Sequence, residues 1–368
     1  MKMKKILSVL LLGAMSVSVP MSAQTSSKLT ATKASEYGLV YTLPLTAFEV
    51  TIAVEKTVYT PGEYFRYARK YLNADPILKS STSWRVVDAV VNPFAFADEE
   101  ERYLASFKGG NGTFMMVSDE GFPLSVNDEL YAPETDFTPL PEAVAAAPTV
   151  LQLPVAQQAM TPDMIKSKST AKRAELAADK IYELRTNRNE IISGQADAMP
   201  SDGAAMKLAL EQLSAQEEAL TAMFLGTVQR SVEVRTFKVY PPEDGGMRDV
   251  VARLSAVEGL VEAYDLSGDP IYVEISTLSR GELPVNEKGE EKIFPKGGVA
   301  YRIPGSANVS VSYGDNVLTE KTFDVAQYGV VFGLDPKLFV DKRTPAYLHY
   351  NPLTGAVREL GTLSEPQK

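Results

Sequence analysis

Apolar and polar positions alternate along the stretch 36–59 of the chain. In FEVTIAVE every second residue from Phe48 to Val54 is apolar, whereas the residues between them are mostly polar. A period of two places one set on a buried face and the other on an exposed face of a β-strand. We therefore predict a strand over 36–59, and the apolar run WRVVDAVV at 84–91 predicts another.

A short amphipathic helix is predicted next, from the stretch TPGEYFRYARKYL. Thr60 and Glu63 have the spacing of a capping box at its N-terminus. The rings of Tyr64 and Tyr67 fall on one face at helical spacing. Such a stripe packs on the neighbouring sheet or binds a sugar ring, and both interpretations are kept at this point.

The sequence after residue 100 contains two further signals of local structure. RYLASF and TFMMVS, joined by KGGNG at 108–112, predict a β-hairpin. From 131 the pattern changes, because prolines interrupt a tract rich in Ala, Val and Thr. We predict a Pro-rich linker over 131–161, or an extended segment along the surface of the protein.

Two longer stretches have apolar residues at spacings of three and four. The first continues to Ile191 and ends at Gly194, and the second runs from Met206 to Phe224. Spacings of this kind are typical of paired helices, and glycine is the usual residue just after a helix. The two apolar seams match each other along their length if the second helix runs back along the first. We therefore predict an antiparallel helical hairpin over 162–226, as in a short coiled coil.

Two charged residues interrupt the apolar seams, Arg188 in the first helix and Glu217 in the second. At about 1.5 Å per residue their levels on the helix axes differ by about 10 Å, so we expect no direct ion pair. Either the arginine lies along the seam with its head in water, or both charges hydrogen-bond to the β-rich body. Together with Arg185, Tyr64 and Tyr67, they are the candidate partner-binding residues.

The β pattern returns after the second helix. Short alternating runs such as VQRSVEVRTFKVY and IYVEIST, separated by turns, predict a sandwich or open barrel over 227–361. The predicted fold class is α+β, with two β-rich regions that flank the antiparallel helical hairpin. The first of these regions is 36–130, which contains one short helix.

The first 23 residues have the three parts of a secretory signal peptide, namely MKMKK, ILSVLLLGAM and SVSVPMSAQ. We expect export to the periplasm or to the outer-membrane surface of a Gram-negative cell. No later stretch reaches about 18 consecutive apolar residues, so we expect no transmembrane segment. The chain has no cysteine, which excludes disulfides and a lipid attached to an N-terminal cysteine.

Composition argues against several chemistries. The formal net charge of −10 disfavours nucleic acid as a partner. The single histidine, His349, cannot supply a multi-histidine metal site, and nucleophile-elbow and dinucleotide motifs are absent from the sequence. We therefore expect no cofactor and name no catalytic or metal-binding residue. The densest acidic cluster, ADEEER at 97–102, is interpreted as a solvated face, with weak calcium binding as the rival.

The ordered set of motifs resembles an uncharacterised family of exported Gram-negative proteins, the domain-of-unknown-function family numbered 4831. The resemblance covers roughly 36–360. It is carried by TPGEYFRYARKYL, by the stretch from ELRTNRNEII to TAMFLG, and then by VARLS, GDPIYVEI, YRIPGSANVSV, VAQYGVVFGL and NPLTGAV. The resemblance implies export and an unassigned activity, and it supplies no catalytic residues.

These observations favour a cell-envelope protein without enzymatic activity. We expect a binding or scaffold protein that uses the helical hairpin and β surfaces to contact a partner, either another envelope protein or a glycan. The alternative is a glycan-binding or glycan-hydrolysing protein that uses Asp, Glu and Tyr side chains, because paired carboxylates are sufficient for that chemistry.

Overall fold

The computed structural model describes residues 38–106, 113–341 and 344–363. β-strands make up the largest share of the regular structure in this part of the chain and helices are few, in agreement with the α+β class. The predicted signal peptide at 1–23 and the predicted KGGNG turn at 108–112 lie outside the described residues.

The strands differ widely in length, from three residues to 25. In chain order the described residues form β1 (Leu39–Thr60), β2 (Ser81–Ala105), β3 (Met115–Val117), β4 (Pro123–Val126), β5 (Thr227–Val239), β6 (Met247–Ser255), β7 (Gly259–Val261), β8 (Gly268–Ser279), β9 (Val299–Tyr313), β10 (Asn316–Leu334), β11 (Ala346–Tyr350) and β12 (Val357–Thr362).

Helices occupy the middle of the chain and one short stretch before it. They are α1 (Ala68–Leu72), α2 (Pro154–Gln158), α3 (Pro162–Lys166), α4 (Thr170–Ser193) and α5 (Gly203–Leu225). Single 3₁₀ turns occur at Phe65–Tyr67, Val150–Gln152 and Pro336–Leu338.

The strands form three antiparallel sheets. A three-stranded sheet has the order β2-β1-β5, a five-stranded sheet has the order β10-β9-β8-β6-β7, and a four-stranded sheet has the order β12-β11-β4-β3. The four-stranded sheet therefore combines strands from both β-rich stretches of the sequence. Its β11 pairs with β4 through Leu348 and Val126 and through His349 and Ser125.

The three-stranded and five-stranded sheets pack face to face around the largest core. The alternating residues from Phe48 to Val54 point into it, as the period of two predicts. They meet buried side chains of the five-stranded sheet, including Ile271, Val273, Ile275, Val309 and Val311. The two β-rich stretches of the sequence thus share one hydrophobic core, and burying such apolar surface is the main stabilising term in folding.

The opposite face of β1 is buried as well, which the prediction of one exposed face did not anticipate. Thr51 and Ala53 are buried there. The Thr51 hydroxyl hydrogen-bonds with that of Thr236 on β5, with 2.9 Å between the oxygens. The buried hydroxyl of Thr51 is therefore satisfied, because its hydrogen-bond partner lies on the neighbouring strand.

A second core lies at the beginning of β1. Tyr41 and Leu43 pack there against the end of β2, against β9 and against the four-stranded sheet. Because β1 has 22 residues and a strand rises about 3.3 Å per residue, its path is about 70 Å long. It runs from the second core, through the largest core, to the helices at its other end.

The helices pack around a third apolar cluster at the end of β1. Its members include Tyr64, Met164, Ile181, Leu220 and Phe224. The predicted sheet contact of the tyrosine stripe is therefore wrong, since these rings pack against helices. The predicted helix is also shorter than expected, because pairing of Thr60 with Thr227 extends β1 through the proposed cap position.

The predicted hairpin through KGGNG is also wrong. The end of β2 pairs with the beginning of β1, with Ala105 opposite Leu39. The strand β3 pairs instead with β4, with Met115 opposite Val126. Local turn chemistry suggested that neighbours in the sequence would pair, but the long β1 provides a partner for the whole of β2.

The Pro-rich stretch 131–161 is extended up to Thr149 and lies against the β-strands. Thr138 exchanges two hydrogen bonds with the Asn92 side chain of β2, at 2.7 and 2.9 Å. Val144 exchanges two backbone hydrogen bonds with Val232 of β5, at 2.8 and 2.9 Å. The 3₁₀ turn Val150–Gln152 and α2 follow, so this stretch connects the sheets to the helices.

The two long helices, α4 and α5, are joined by 194–202 and contact each other. Their ends are capped: the Asp202 side chain accepts a hydrogen bond from the Ala205 N–H at 2.7 Å, and Gly194 adopts a left-handed conformation after α4. Buried residues occur only up to Leu184 in α4 and from Ala219 in α5. We call 185–218, in which no described residue is buried, the distal half.

Candidate functional site

A groove of about 750 Å³ lies where α5 ends and β5 begins. Its lining combines Tyr59 of β1, the stretch 147–150, the last turns of α5 and the stretch 226–230. We call it the root groove. A volume of this size is within the range of about 300–1,000 Å³ that is usual for ligand sites.

Close backbone packing gives the root groove its shape. Gly226 follows α5 with φ of 91°, and a Cβ there would lie 2.3 Å from the Thr60 carbonyl oxygen. A Cβ on Gly62 would lie 2.3 Å from the Met223 carbonyl oxygen. Only glycine fits at both positions, because any side chain would collide with backbone. The end of α5 is thereby held directly against the end of β1.

One wall of the root groove is the edge of a sheet. The strand β5 is the outer strand of the three-stranded sheet. Along this edge the stretch 131–161 makes a single two-way bridge, between Val144 and Val232. The side chain of Gln229 also donates a hydrogen bond to the Ala147 carbonyl oxygen at 2.9 Å. These two contacts hold the stretch 131–161 beside β5. The backbone hydrogen bonds between this stretch and β5 do not continue towards α5.

Polar groups in the root groove are left without partners. Glu218 and Arg230 are exposed, and in the part of the chain that the structure describes neither side chain takes part in an ion pair or hydrogen bond. The Thr221 hydroxyl oxygen is buried and has no hydrogen-bond partner among the described residues. Such a group costs free energy unless a bound molecule or water satisfies it.

The predicted site residues Arg185, Arg188 and Glu217 lie together in the helices. One carboxylate oxygen of Glu217 lies 2.6 Å from Arg185 Nε, and the other lies 2.5 Å from an Arg188 terminal nitrogen. The expectation that Arg188 and Glu217 are too far apart was wrong. It compared only backbone levels, whereas both long side chains tilt along the helix axes.

This ion-pair cluster marks the boundary of the distal half. The Glu217 side chain is 13% exposed, whereas those of Arg185 and Arg188 are 39% and 30% exposed. A half-buried carboxylate with two arginine partners is satisfied on both oxygens. The two helices are therefore held together by charge at the point where apolar burial ends.

The other two predicted site residues lie near the root of the helices. The Tyr64 side chain is fully buried, and its ring centroid is 5.4 Å from that of Phe224 in an edge-to-face arrangement. Tyr67 is half-buried and packs beside Tyr71. Burial of the tyrosine side chain raises the pKa of Tyr64. The role of these two rings in partner binding stays a prediction.

Sequence analysis missed the surroundings of His349 on β11. Its Nε2 donates to Asp128 at 2.8 Å, its Nδ1 lies 3.4 Å from a Glu359 oxygen, and Tyr131 stacks on the ring with centroids 4.0 Å apart. Asp128 follows β4 and Glu359 lies on β12. The side chains therefore link three strands of the four-stranded sheet, and both ring nitrogens face carboxylates.

The charges around His349 shift the titration of its neighbours. The hydrogen bond from His349, helped by the Leu130 N–H, lowers the pKa of the Asp128 carboxyl. The Tyr347 hydroxyl donates to Glu359 at 2.5 Å, and this hydrogen bond raises the pKa of Tyr347. The lowered pKa of Asp128 favours a charged carboxylate beside the histidine. No local sequence signal marks this cluster, since its members come from three separate parts of the chain.

The acidic cluster ADEEER lies on β2, and part of it is paired. Asp98 forms an ion pair with Arg302 of β9, and both side chains are largely buried. Glu101 accepts a hydrogen bond from the Tyr103 hydroxyl. Burial of the phenol and this hydrogen bond both raise the pKa of Tyr103. The predicted solvated face is thus partly a link between β2 and β9.

The described residues contain neither a metal-ligand cluster nor a membrane-spanning helix. In 38–106, 113–341 and 344–363, no three His, Asp or Glu side chains are grouped closely enough to hold a metal ion. Among the helices of these same ranges, none is long and apolar enough to cross a membrane.

The family comparison covers nearly the whole described chain. The model of the domain of unknown function DUF4831 matches residues 37–358. No curated protein and no solved structure matches the chain. The match includes the strands β1 to β11 and both long helices. The chain therefore belongs to the DUF4831 family.

Proposed function

We propose that this chain is an exported binding protein of the cell envelope that captures a partner protein with the distal half of α4 and α5. In this proposal the two helices form an antiparallel hairpin between the two β-rich regions, and the hairpin presents its surface to the partner. The proposal assigns no catalytic role to the chain.

The observation that carries the proposal is the apolar surface of the distal half. Ile192 and Leu208 are 64% and 59% exposed, and Met199 between the helices is also exposed. The seam residues Ile191, Met206, Leu210 and Leu213 are only half-buried. Apolar side chains grouped on an exposed helical surface are typical of protein-binding surfaces.

The ion-pair cluster supports the antiparallel arrangement. Side chains on a helix tilt towards its N-terminus. In an antiparallel pair, Arg188 tilts towards the root and Glu217 tilts towards the tip, so the two side chains approach each other. This tilt accounts for their direct contact despite a difference of about 10 Å between their levels on the axes, at about 1.5 Å per residue.

A firm attachment at the root would make the hairpin a rigid arm. The Tyr182 hydroxyl donates to the Tyr71 carbonyl oxygen at 2.7 Å, and Arg173 forms an ion pair with Glu63 at 2.7 Å. The Tyr64 N–H donates to the Met223 carbonyl oxygen, also at 2.7 Å. A rigid arm loses little conformational freedom when it binds, which favours affinity.

Site-specific photo-crosslinking in intact cells would test the proposal. A photoreactive amino acid replaces Leu208 in one variant and Leu278 of β8 in the other, because both side chains are 59% exposed. We expect a discrete crosslinked product with the Leu208 variant and none with the Leu278 variant. Equal labelling at both positions, or none at Leu208, would refute capture by the distal half.

Charge substitutions in the same surface provide a second readout. With the photoreactive amino acid kept at position 208, Ile192→Glu and Met199→Glu remove apolar surface without replacing a buried residue, so the protein should fold normally. We expect the crosslinked product to disappear in the double variant, with an unchanged unfolding midpoint. Cell fractionation of the unaltered protein tests the proposed envelope location, and recovery in the cytoplasm would contradict it.

A further inference from the structure

We propose that the root groove binds an extended segment of a partner protein, which adds as a strand to the free edge of β5. This inference rests on the proposed binding function, because it names a second contact that the same kind of partner would make. The proposal is based on three features that occur together in one groove: a free strand edge, apolar lining residues and two unpaired charges.

The bridge at Val144 establishes which backbone groups of β5 point outwards. Both the N–H and the carbonyl of Val232 bond to Val144, so they point away from β1. Successive residues of an antiparallel strand alternate between the two sides. Arg230 and Val228 pair with Thr57 and Tyr59 of β1. Their N–H and carbonyl groups therefore also point outwards, into the root groove.

The chain's own neighbouring stretch does not fill this edge. If the pairing of Val144 with Val232 continued in register, Ala146 would lie opposite Arg230 and Pro148 opposite Val228. Proline has no N–H and cannot donate to a ladder. The ladder in fact ends after the single bridge. The edge beside Val228 and Arg230 is thus open to a strand from elsewhere, a known mode of peptide recognition.

The lining suits a peptide better than it suits a small polar molecule. Tyr59, Val150, Leu225 and Val228 provide apolar contacts along the groove. Alternate side chains of an added strand would pack against this floor while its backbone pairs with β5. The buried Thr221 hydroxyl, which lacks a partner among the described residues, would gain one from a polar group of the peptide.

Charge indicates where the polar residues of the bound segment should lie. Arg230 is on the edge strand and Glu218 is on α5, and both residues line the groove. We therefore expect an acidic residue in the segment beside Arg230 and a basic residue beside Glu218. Complementary pairs of this kind give specificity and faster association.

The occupant is expected to come from another molecule. The stretch 24–37, which would precede β1 after signal cleavage, reaches at most about 50 Å when fully extended. It joins β1 at Leu39, and the path of β1 from there to the root groove is about 70 Å.

Selection from a display library of random 10-residue peptides would test the inference on the full mature chain. We expect enrichment of peptides that alternate apolar residues and carry an acidic residue. Hydrogen exchange should show slower exchange of the Val228 and Arg230 amides when such a peptide binds. Failure to enrich any peptide, or protection elsewhere only, would overturn the inference.

A pair of proline variants isolates the backbone contact. Val228→Pro removes one outward N–H without removing a hydrogen bond to β1, and proline is tolerated on edge strands. Val234→Pro makes the same change on the same side of β5, outside the groove. We expect the first to weaken binding of the selected peptide at least tenfold and the second to leave it unchanged. Equal effects would contradict strand addition.

A charge exchange covers the case in which Val228→Pro does not fold. We expect Arg230→Glu to weaken binding of the selected peptide, and a lysine in place of the peptide's acidic residue to restore it. If restoration fails, the peptide does not lie beside Arg230. If deletion of 24–37, or dilution of the protein, exposes amides in the groove that were already protected, the occupant is this chain or a second copy and the inference falls.

The outcomes separate this inference from the proposed function. The double variant Ile192→Glu, Met199→Glu should lose crosslinking from position 208 but bind the selected peptide normally. Val228→Pro should lose the peptide while crosslinking at Leu208 persists. Loss of peptide binding alone rejects the groove as a strand acceptor, whereas loss of crosslinking alone rejects the distal half as the capture surface.

Discussion

The sandwich of the three-stranded and five-stranded sheets differs from the distal half of the helices in how its side chains are used. In the sandwich, residues such as Phe48, Val309 and Ile271 are fully buried between two sheets. In the distal half no described residue is buried, and apolar side chains such as Ile192 face solvent. Burial in the sandwich stabilises the fold, whereas the distal half leaves apolar surface exposed and available for binding.

This difference teaches that stability and recognition are carried by separate parts of the chain. A helical pair without a third element on its seam gains little from burial and depends on caps and ion pairs. The helices meet such a third element only at the root, where Tyr64 packs on Phe224. Substitutions in the sandwich should therefore change stability, and substitutions in the distal half should change binding.

The largest loss of stability is expected from truncation in the sandwich. Phe48 is fully buried and its ring lies 5.2 Å from that of Phe323. Phe48→Ala should lower the free energy of unfolding by about 3–5 kcal/mol, because it removes buried apolar surface and leaves a cavity. Urea denaturation followed by circular dichroism measures this. A change as small as that of Leu208→Ala would contradict the comparison.

A smaller loss is expected from the buried polar contact between β1 and β10. The Gln327 side chain accepts from the Thr46 N–H at 3.0 Å and donates to the Thr46 carbonyl oxygen at 2.8 Å. Gln327→Ala leaves both backbone groups of Thr46 unsatisfied, which should cost about 1–3 kcal/mol. The midpoint of urea denaturation gives the value. Gln229→Ala, which removes an exposed hydrogen bond, is the control and should be nearly neutral.

Within the helices, Glu217→Gln should have a local effect. It removes the carboxylate that joins Arg185 and Arg188 and should cost about 1 kcal/mol, since the pairs are partly screened by solvent. Hydrogen exchange should become faster in 185–218 and stay unchanged in the sheets. Glu211→Gln is the control, because its pair with Lys207 is exposed on both sides. Faster exchange throughout the molecule would show that the helices and the sandwich unfold together.

The smallest effect concerns pH and the four-stranded sheet. The pKa of Asp128 is lowered in the folded protein, so its stabilising contribution is present above its unfolded pKa of about 3.9 and is lost as pH falls through the folded value. We expect Asp128→Asn to be less stable than the unaltered protein at pH 7. The difference between the two should shrink as pH falls below about 3.9, as measured by urea denaturation. A constant difference across this range would show that the charge of Asp128 is not responsible.

Periodicity was sufficient to predict those elements whose apolar spacing does not depend on which other element they pack against. The strand from Phe48 to Val54 and the two long helices follow from spacing alone, because each buries a regular face. The prediction that RYLASF pairs with TFMMVS was wrong for the complementary reason. Which strand pairs with which depends on distant stretches, and a turn signal carries no information about them.

The site residues show the same limit. Arg188 and Glu217 were identified because they interrupt apolar seams, yet their direct contact was missed because tilt was left out of the estimate. The root groove and the cluster around His349 combine residues from separate parts of the chain, up to 221 positions apart for Asp128 and His349. No pattern within a short window marks such a meeting.

The pairing of β4 with β11 has a consequence for how the protein is made. Val126 needs Leu348 beside it, and these two strands are far apart in the sequence. During synthesis β4 cannot pair with β11 until that strand has left the ribosome. Met115 and Val126 stay uncovered until then. Contacts so distant in sequence make folding slow. The nascent chain is therefore expected to depend on chaperones until its last strands are available.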